Sequence, residues 1–337
     1  MKCTIQNIAD HLGLSRNTVS KALKNSSEVS ENTRNLVIKT ASKLGYKNAT
    51  FATPVIPASE TGSNGTILFL TRTYASDSEF WTTVLRGIES ILSNANYHLA
   101  ISIMSDSDLK QLNFPQTISD SSIKGIILVE ICDKVVCDAL SQFNLPIVSV
   151  DMPNVPFEEL NGIDVVTMES KKNLKKIINQ LIEKGAESFG FVGDLYSPNV
   201  SRGFQERYNA LSECLAEHQL PLNQKNCLLH QTPEDFRNFQ TTVNNLQAMI
   251  SLPDVFICGN DWTAIQLIYA LQFLGFQIPK DICVVGFDNI PAASRISPSL
   301  TTISTPQKYL GIAAARQILE RIQHPNCPHV FCQYETE

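Results

Sequence analysis

The chain has 337 residues, of which 43% are hydrophobic, and its formal net charge is -6. A chain of this length can form two or three packed domains, and no apolar run is long enough to predict a membrane helix. Nine cysteines, an odd number spread through apolar segments such as those around Cys132 and Cys258, argue against a disulfide framework. Since the predicted first helix starts at once after Met1-Lys2-Cys3, we expect no secretory signal and a cytoplasmic protein.

The first 47 residues predict three short helices, each preceded by a residue that caps helices well. Thr4, Ser15 and Ser30 are the predicted caps, and Gly13 and Gly45 end the first and third helices. The apolar residues recur at helical spacing and are therefore expected to face a common core. They are Ile5, Ile8, Ala9 and Leu12 in the first helix, Val19, Ala22 and Leu23 in the second, and Leu36, Val37, Ala41 and Leu44 in the third.

The second helix leaves Arg16, Asn17 and Lys21 outside this core, and such side chains match the phosphates and base edges of a DNA major groove. The charge distribution agrees with that interpretation. Residues 1–50 hold eight Lys or Arg against three Asp or Glu, a net of +5, which leaves -11 on the remaining 287 residues. A basic head on an acidic body concentrates attraction for nucleic acid at one end of the chain.

The head also carries a specific sequence pattern. Residues 4–21 read T-I-Q-N-I-A-D-H-L-G-L-S-R-N-T-V-S-K, and V-S-E-N-T-R and L-G-Y follow at 29–34 and 44–46. This pattern resembles the head of the lac repressor family (LacI/GalR) of bacterial transcription regulators. The resemblance implies a homodimer with two second helices in successive major grooves of a near-palindromic operator. The residues then expected to contact DNA are Thr4, Ser15, Arg16, Asn17, Thr18, Ser20, Lys21, Lys24 and Ser30.

Residues 48–65 contain two prolines and two glycines without apolar periodicity, and this composition is typical of a linker. The family usually has a hinge helix here with the pattern A-R-x-L, whose leucine enters the minor groove. In this chain residues 52–55 read A-T-P-V, and Pro54 would interrupt such a helix. We therefore expect weaker DNA bending than is usual for the family.

From residue 66 to the end, short apolar runs alternate with amphipathic stretches, which predicts parallel sheets covered by helices on both faces. The fold class expected is an N-terminal all-α helix-turn-helix head on an α/β body. The resemblance implies that the body is like the periplasmic binding proteins, with two doubly wound parallel-sheet lobes. The predicted domains are thus a head at 1–47, a linker at 48–65 and an effector-binding and dimerisation body at 66–337. The predicted strands are 67–70, 99–104, 125–130, 147–150, 189–193, 255–258 and 283–287.

A ligand cleft is expected where the strands end, between the lobes. The family's effector-binding arginine maps onto Arg207, although Arg202 is a nearby competitor, and its effector-contacting carboxylate maps onto Asp261. Phe80 and Trp81 offer flat faces to a sugar ring or a base, or else belong to the core. Asp151 accepts hydrogen bonds from ligand hydroxyls or caps the next turn. These five residues predict a site for a sugar or sugar phosphate.

The sequence has no GxSxG, HExxH, P-loop or GxGxxG motif, so it predicts neither an enzyme nor a cofactor. His324, Cys327, His329 and Cys332 lack the paired spacing of a zinc site, and an ordinary final loop and strand is the preferred interpretation. The predicted function is therefore that of a DNA-binding regulator, a repressor, controlled by a small polar effector. The alternative is a solute-binding or nucleoside- or purine-responsive body with an altered or vestigial DNA head.

Overall fold

The computed structural model describes residues 4–23, 29–30, 33–34, 36–37, 40–41, 63–72, 78–195, 201–230 and 238–337. The chain forms two compact units, residues 1–62 and residues 63–337. Within the described ranges, no helix is long and apolar enough to cross a membrane. The linker residues 48–62, with Pro54, and the DNA-contact candidate Lys24 lie outside the described residues.

The first unit begins with α1 (Ile5–Leu12) and α2 (Arg16–Leu23), joined by a tight turn. Thr4 caps α1 as predicted, because its side chain and that of Asn7 each accept a hydrogen bond from the other's backbone N–H. Gly13 ends α1 with a φ of 64°, a left-handed conformation that residues with a Cβ rarely adopt. The predicted helix-turn-helix is confirmed.

The core of this unit contains most of the apolar residues that the helical spacing selects. Leu36 is an exception, since half of its surface is exposed, and the prediction that it faces inward is wrong. Val37 and Ala41, one helical turn apart, are both fully buried, so the inward face passes through them rather than through Leu36. The buried apolar residues of the unit are Ile8, Ala9, Val19, Ala22, Val29, Val37 and Ala41.

The second unit is an α/β body. Its strands are β1 (Thr66–Arg72), β2 (His98–Met104), β3 (Ile123–Val129), β4 (Ile147–Ser149), β5 (Ile163–Met168), β6 (Phe189–Asp194), β7 (Leu228–His230), β8 (Val255–Cys258), β9 (Cys283–Asp288), β10 (Thr301–Ser304) and β11 (Phe331–Tyr334). Its helices are α3 (Glu79–Asn94), α4 (Asp106–Gln111), α5 (Lys134–Ser141), α6 (Lys172–Glu183), α7 (Arg202–Glu217), α8 (Phe239–Ala248), α9 (Asp261–Phe273) and α10 (Gln307–Gln323).

These strands form two parallel sheets, one in each lobe, as the alternating pattern predicts. The first sheet has the order β11-β5-β4-β3-β1-β2, and the second has the order β10-β9-β8-β6-β7. The predicted fold class is confirmed. Strand β11 pairs with β5 although more than 160 residues separate them, which means that the end of the chain returns to complete the first lobe.

Helices α3 and α10, from opposite ends of the body, cross at very close range. The crossing depends on two glycines. A Cβ on Gly311 would overlap the carbonyl oxygen of Val84, and one on Gly87 would overlap the carbonyl oxygen of Lys308. The crossing therefore fixes the position of α3, whose first residues reach the cleft described below.

A buried ion pair attaches α10 to β5. The Arg321 guanidinium donates to both carboxylate oxygens of Asp164, from Nη2 at 2.8 Å and from Nε at 3.0 Å. The backbone N–H of Val330 and the side chain of Gln317 also donate to this carboxylate. Burial opposes ionisation, yet these hydrogen bonds hold the pKa of Asp164 below its usual value. The pair is bidentate and has the geometry that a buried carboxylate requires.

We predict that Gly311→Ala destabilises the body by about 1–3 kcal/mol, the usual cost of overpacking a tight contact. Chemical denaturation followed by tryptophan emission measures this body alone, because Trp81 and Trp262 both lie in it. Lys308→Ala, an exposed change on the same helix, is the control. Equal stability of the two variants would show that the close crossing is not required.

Candidate functional site

The exposed face of α2 is the candidate DNA interface. Arg16 and Asn17, in its first turn, are exposed, whereas Lys21 is half-buried one turn later. Because Val19 and Ala22 fix the opposite face of the helix in the core, Arg16 and Asn17 remain on the outside. The orientation agrees with a helix whose first residues contact base edges.

The hydroxyl groups predicted to hold phosphates also cap the helices. Ser15 Oγ accepts the N–H of Thr18 at 3.0 Å and lies 2.8 Å from Thr18 Oγ1. Ser30 has the same relation to Thr33, with 2.8 Å between the two hydroxyl oxygens. These caps orient the first turn of each helix, where backbone N–H groups and the helix dipole favour an anion. Ser20 is half-buried on α2, and its contact with DNA stays a prediction.

The second candidate site is a cavity of about 60 Å³ between the two lobes of the body. It lies where strands of both sheets end, which is where doubly wound folds bind ligands. Of the five residues predicted for the effector, four line it and Asp261 does not. The full lining is Ser78, Phe80, Trp81, Glu130, Val150, Asp151, Thr167, Met168, Ser170, Ser201, Gly203, Phe204, Arg207, Asn260 and Asp288.

Arg207 projects from α7 into this cavity and is 3% exposed. Its Nη1 donates to the carbonyl oxygen of Gly259 at 2.5 Å, and its guanidinium lies 3.7 Å from the centre of the Phe287 ring. Its Nε is buried without a hydrogen-bond partner. Burial lowers the pKa of Arg207, and the carboxylates of Asp288 and Asp151 oppose that effect. A guanidinium held by stacking with an unused donor can hydrogen-bond a ligand.

Asp261 is placed differently from the sequence prediction. Its Oδ2 accepts the N–H of Ile290 at 2.9 Å, and Thr302 Oγ1 donates to its Oδ1 at 2.5 Å. Both carboxylate oxygens are thus used within the second lobe, and the residue is fully buried. In this structure Asp261 holds the segment after β9 in place, and its contact with an effector stays a prediction.

Asp288 and Asn260 are two of the cavity residues that the sequence analysis missed. Asp288 ends β9 with a φ of 122°, a backbone conformation that residues other than glycine rarely adopt. The side chains of Gln307 and Thr305 donate to its backbone carbonyl oxygen and so hold this conformation. Asn260 caps α9 through Thr263 N–H and also lines the cavity. The sequence signal was present, since G-F-D follows a strand at 286–288, but nothing in it showed that Asp288 faces the cleft.

Trp81 and Glu130 form a polar pair at the cavity, of which the sequence analysis predicted Trp81 but not Glu130. The indole Nε1 of Trp81 donates to Glu130 Oε1 at 2.5 Å, while Glu130 Oε2 is buried without a hydrogen-bond partner. Glu130 has a φ of 57° at the end of β3. Burial raises the pKa of Glu130 to about 7, which Asp151 and Asp194 reinforce and Trp81 and Arg72 oppose. Phe80 packs edge-on against Trp81, 4.6 Å between ring centres, so it serves both core and cavity.

Contacts between the lobes close the cleft on two sides. On one side the carbonyl oxygen of Met152 accepts the N–H of Arg202 at 3.0 Å, beside Asp151. On the other, Glu79 Oε2 accepts the N–H of Ala292 at 3.1 Å. Both contacts join the first lobe to the second beside the cavity.

Two family profiles match the chain. That of the lacI family of bacterial regulatory proteins matches residues 4–48, and that of the periplasmic binding protein-like domain matches residues 178–331. The first covers the helix-turn-helix, and the second covers α7, the carbonyl of Gly259 and Asp288.

Among curated proteins, the chain is similar to the ribose operon repressor of Haemophilus influenzae, with 27% identity over 96% of this chain and 93% of that protein. It is also similar to the HTH-type transcriptional repressor PurR of Photobacterium profundum, with 26% identity over 96% of this chain and 93% of that protein. The chain therefore matches transcriptional regulators over nearly its full length.

Two solved structures share its fold. A LacI-family regulator from Enterococcus faecium with bound ribose has a TM-score of 0.66 and 24% identity, over 81% of this chain and 96% of that one. The lac repressor dimer bound to operator and an anti-inducer has a TM-score of 0.66 and 19% identity, over 100% of this chain and 97% of that one. At these identities the likeness shows the fold.

We predict that Glu130 makes the body less stable as the pH rises. Its pKa is raised to about 7 in the folded chain from 4.5, so its contribution is largest below pH 4.5 and is lost as the pH passes 7. The charged groups that face it are Arg72, Asp151 and Asp194, and Asp288 shares the cavity. Thermal unfolding between about pH 5 and pH 8 should therefore show a smaller decline for Glu130→Gln than for the unsubstituted chain.

Glu158→Gln, an exposed change of the same kind, is the control and should unfold like the unsubstituted chain at each pH. Trp262→Phe leaves Trp81 as the sole tryptophan. Its emission should change with the protonation of Glu130, with a midpoint within about one pH unit of 7. A midpoint near the ordinary pKa of glutamate would contradict the assigned environment of Glu130.

Proposed function

Because the chain belongs to the lacI family of bacterial regulatory proteins, we propose that it represses transcription from an operator under the control of a sugar bound between the lobes of its body. The observation that carries the proposal is the pairing of an exposed Arg16–Asn17 surface on α2 with a closed cavity that contains Arg207 and Asp288. One unit provides DNA contacts and the other a ligand-dependent change of shape.

The DNA-binding part of the proposal rests on the orientation of α2. Arg16 and Asn17 read base edges from its first turn, and Lys21 reaches a base or a phosphate one turn later. Thr4, Ser15, Thr18, Ser20 and Ser30 position the head on the phosphates. Lys24, outside the described residues, is proposed for the same role on its position in the sequence. The protein acts in the cytoplasm, where an operator is accessible.

Arg16→Ala should cost about 1–3 kcal/mol at one operator base pair and relax the preference there, since a bidentate base contact is lost. Lys21→Ala should weaken binding to all sequences and reduce the salt dependence by about one ion. Selection from random DNA followed by binding at matched salt measures both. Lys110→Ala, exposed in the body, removes the same charge as a control. An unaltered base preference in Arg16→Ala would disprove its assigned role.

The homodimer part of the proposal rests on apolar surface that the body leaves exposed. Tyr269 and Phe273 of α9 are 43% and 67% exposed, although this helix is apolar on all sides. On β2, Ile101 and Ile103 are 52% and 46% exposed at the edge of the first sheet. A helix that is apolar all round is normally covered, and exposed apolar patches of this kind mark interfaces. A second copy of the chain is the proposed cover.

Replacing both Tyr269 and Phe273 by Asp should convert the dimer to a monomer, because it places charges in an apolar interface. Sedimentation equilibrium of the full chain gives the oligomeric state. Ile250→Asp is the control, since Ile250 lies just after α8 and is 94% exposed in the single chain. A double variant that remains dimeric would place the interface elsewhere.

The effector part of the proposal rests on the polar groups that face the cavity. Arg207 supplies donors, Asp288 and Asp151 supply acceptors, and Trp81 supplies an aromatic face, which together suit neighbouring hydroxyl groups on a ring. Carboxylates outnumber guanidiniums among the described lining residues, and this favours a sugar over a sugar phosphate. The ribose operon repressor and the ribose-bound regulator, both similar to this chain, make ribose the first probe.

Pentoses and hexoses, with ribose first, should raise the melting temperature, because a ligand at 100 times its Kd stabilises by about 2.7 kcal/mol. Asp288→Asn should abolish that shift and leave DNA binding without ligand within a few fold.

Asp261→Asn should instead lower stability without ligand, because Ile290 and Thr302 lose their acceptor. Ribose 5-phosphate and hypoxanthine complete the panel. A shift with hypoxanthine alone would replace the sugar by a purine and support the alternative function.

A further inference from the structure

The cavity between the lobes has an imbalance of charge. Three carboxylates line it, those of Glu130, Asp151 and Asp288, and Arg207 is the one cation among its described lining residues. Arg72 lies near Glu130 but is buried in a 2.8 Å ion pair with Asp106. Burying several carboxylates with one counter-charge is costly.

Arg207 compensates the second lobe more than the first. Of the carboxylates that favour its charged form, Asp288 contributes most and Asp151 next, whereas Glu130 receives its opposing charge from Arg72. Glu130 and Asp151, both on the first lobe, therefore share a side of the cavity that is poor in positive charge.

Buried polar atoms at the same cavity have no hydrogen-bond partner. Glu130 Oε2 is one, and Ser170 Oγ, on a residue that is 1% exposed, is another. An unpaired buried acceptor costs free energy that a ligand donor would recover. An ammonium group carries three donors and a positive charge, so it satisfies both the hydrogen-bond deficit and the charge deficit.

We propose that the effector is a sugar that carries a protonated amine, and that Glu130 and Asp151 receive the ammonium group. This inference rests on the proposed function and narrows its class of ligand. The amine lies beside Trp81, whose ring contributes a cation–π attraction and whose indole N–H keeps Glu130 in position. Arg207 and Asp288 hold hydroxyl groups at the other side of the cavity.

Matched pairs of compounds test the amine directly. D-glucosamine, D-galactosamine and D-mannosamine are compared with glucose, galactose and mannose in titration calorimetry of the full chain at about pH 6.5. We expect the amino member of at least one pair to bind more tightly than its partner by about tenfold or more, because a charge-assisted contact replaces a neutral one. The N-acetylated sugar, with the nitrogen neutral, should lose that advantage.

Glu130→Gln should reduce the preference within the pair to less than about threefold, and Glu158→Gln should leave it unchanged. Binding of the amine should also release protons at about pH 6.5, measured in buffers of different ionisation enthalpy, since Glu130 is largely protonated there before binding. Glu130→Gln should remove that release. Circular dichroism confirms that both variants are folded.

Two outcomes overturn the inference. One is equal or tighter binding of the neutral member in every pair, which leaves the proposed sugar effector intact. The other is the absence of binding by all three amino sugars while a neutral pentose or hexose binds. Failure of the proposed function differs from both, because then no pentose or hexose binds and only a purine, or nothing in the panel, stabilises the body.

Discussion

The Arg207 guanidinium is buried among carboxylates, and much of the arrangement of the body depends on the way it is held. It stacks on Phe287, donates to the carbonyl oxygen of Gly259 and lies opposite Asp288. A cation in this position is tolerable only if acceptors and counter-charges surround it. The ends of β6, β8 and β9 provide that environment because they lie side by side in one parallel sheet.

The same convergence couples ligand binding to the position of the lobes. Contacts on both sides of the cleft, Glu79 with Ala292 and Met152 with Arg202, hold the lobes together. Any change in the separation of the lobes must alter both contacts. Helix α3 carries Phe80 and Trp81 at the cleft and is packed closely against α10 at Gly87 and Gly311, so the cleft side chains are tied to the helix near the end of the chain.

Sequence reasoning predicted those features that depend on local patterns. Helix caps such as Thr4 and Ser15, the left-handed Gly13 and the alternation of apolar strands with helices are all short-range signals, and the structure confirms them. Sequence reasoning could not predict features that depend on contacts between segments far apart in the chain. Strand β11 beside β5 and the crossing of α3 with α10 each join segments more than 160 residues apart.

The candidate site shows the same limit at the level of single side chains. Arg207 lines the cavity, and its contact with an effector stays a prediction from its family motif, whereas Asp261 and Asp288 both come at strand ends and look equivalent in sequence. Only the partners separate them, since Thr302 and Ile290 use the carboxylate of Asp261 while Gln307 and Thr305 hold the backbone of Asp288. A carboxylate's role thus depends on which donors reach it.

The charge imbalance also bears on how the protein switches. Without a ligand, closed lobes hold Glu130, Asp151 and Asp288 in one cavity, and burial raises the pKa of all three. Closure then costs either repulsion or protonation, and that cost favours the open lobes. A ligand that brings positive charge removes it and so binds the closed state more tightly than the open one. Such differential affinity is the one means by which a ligand shifts a conformational equilibrium, and here it follows from the chemistry of the cavity.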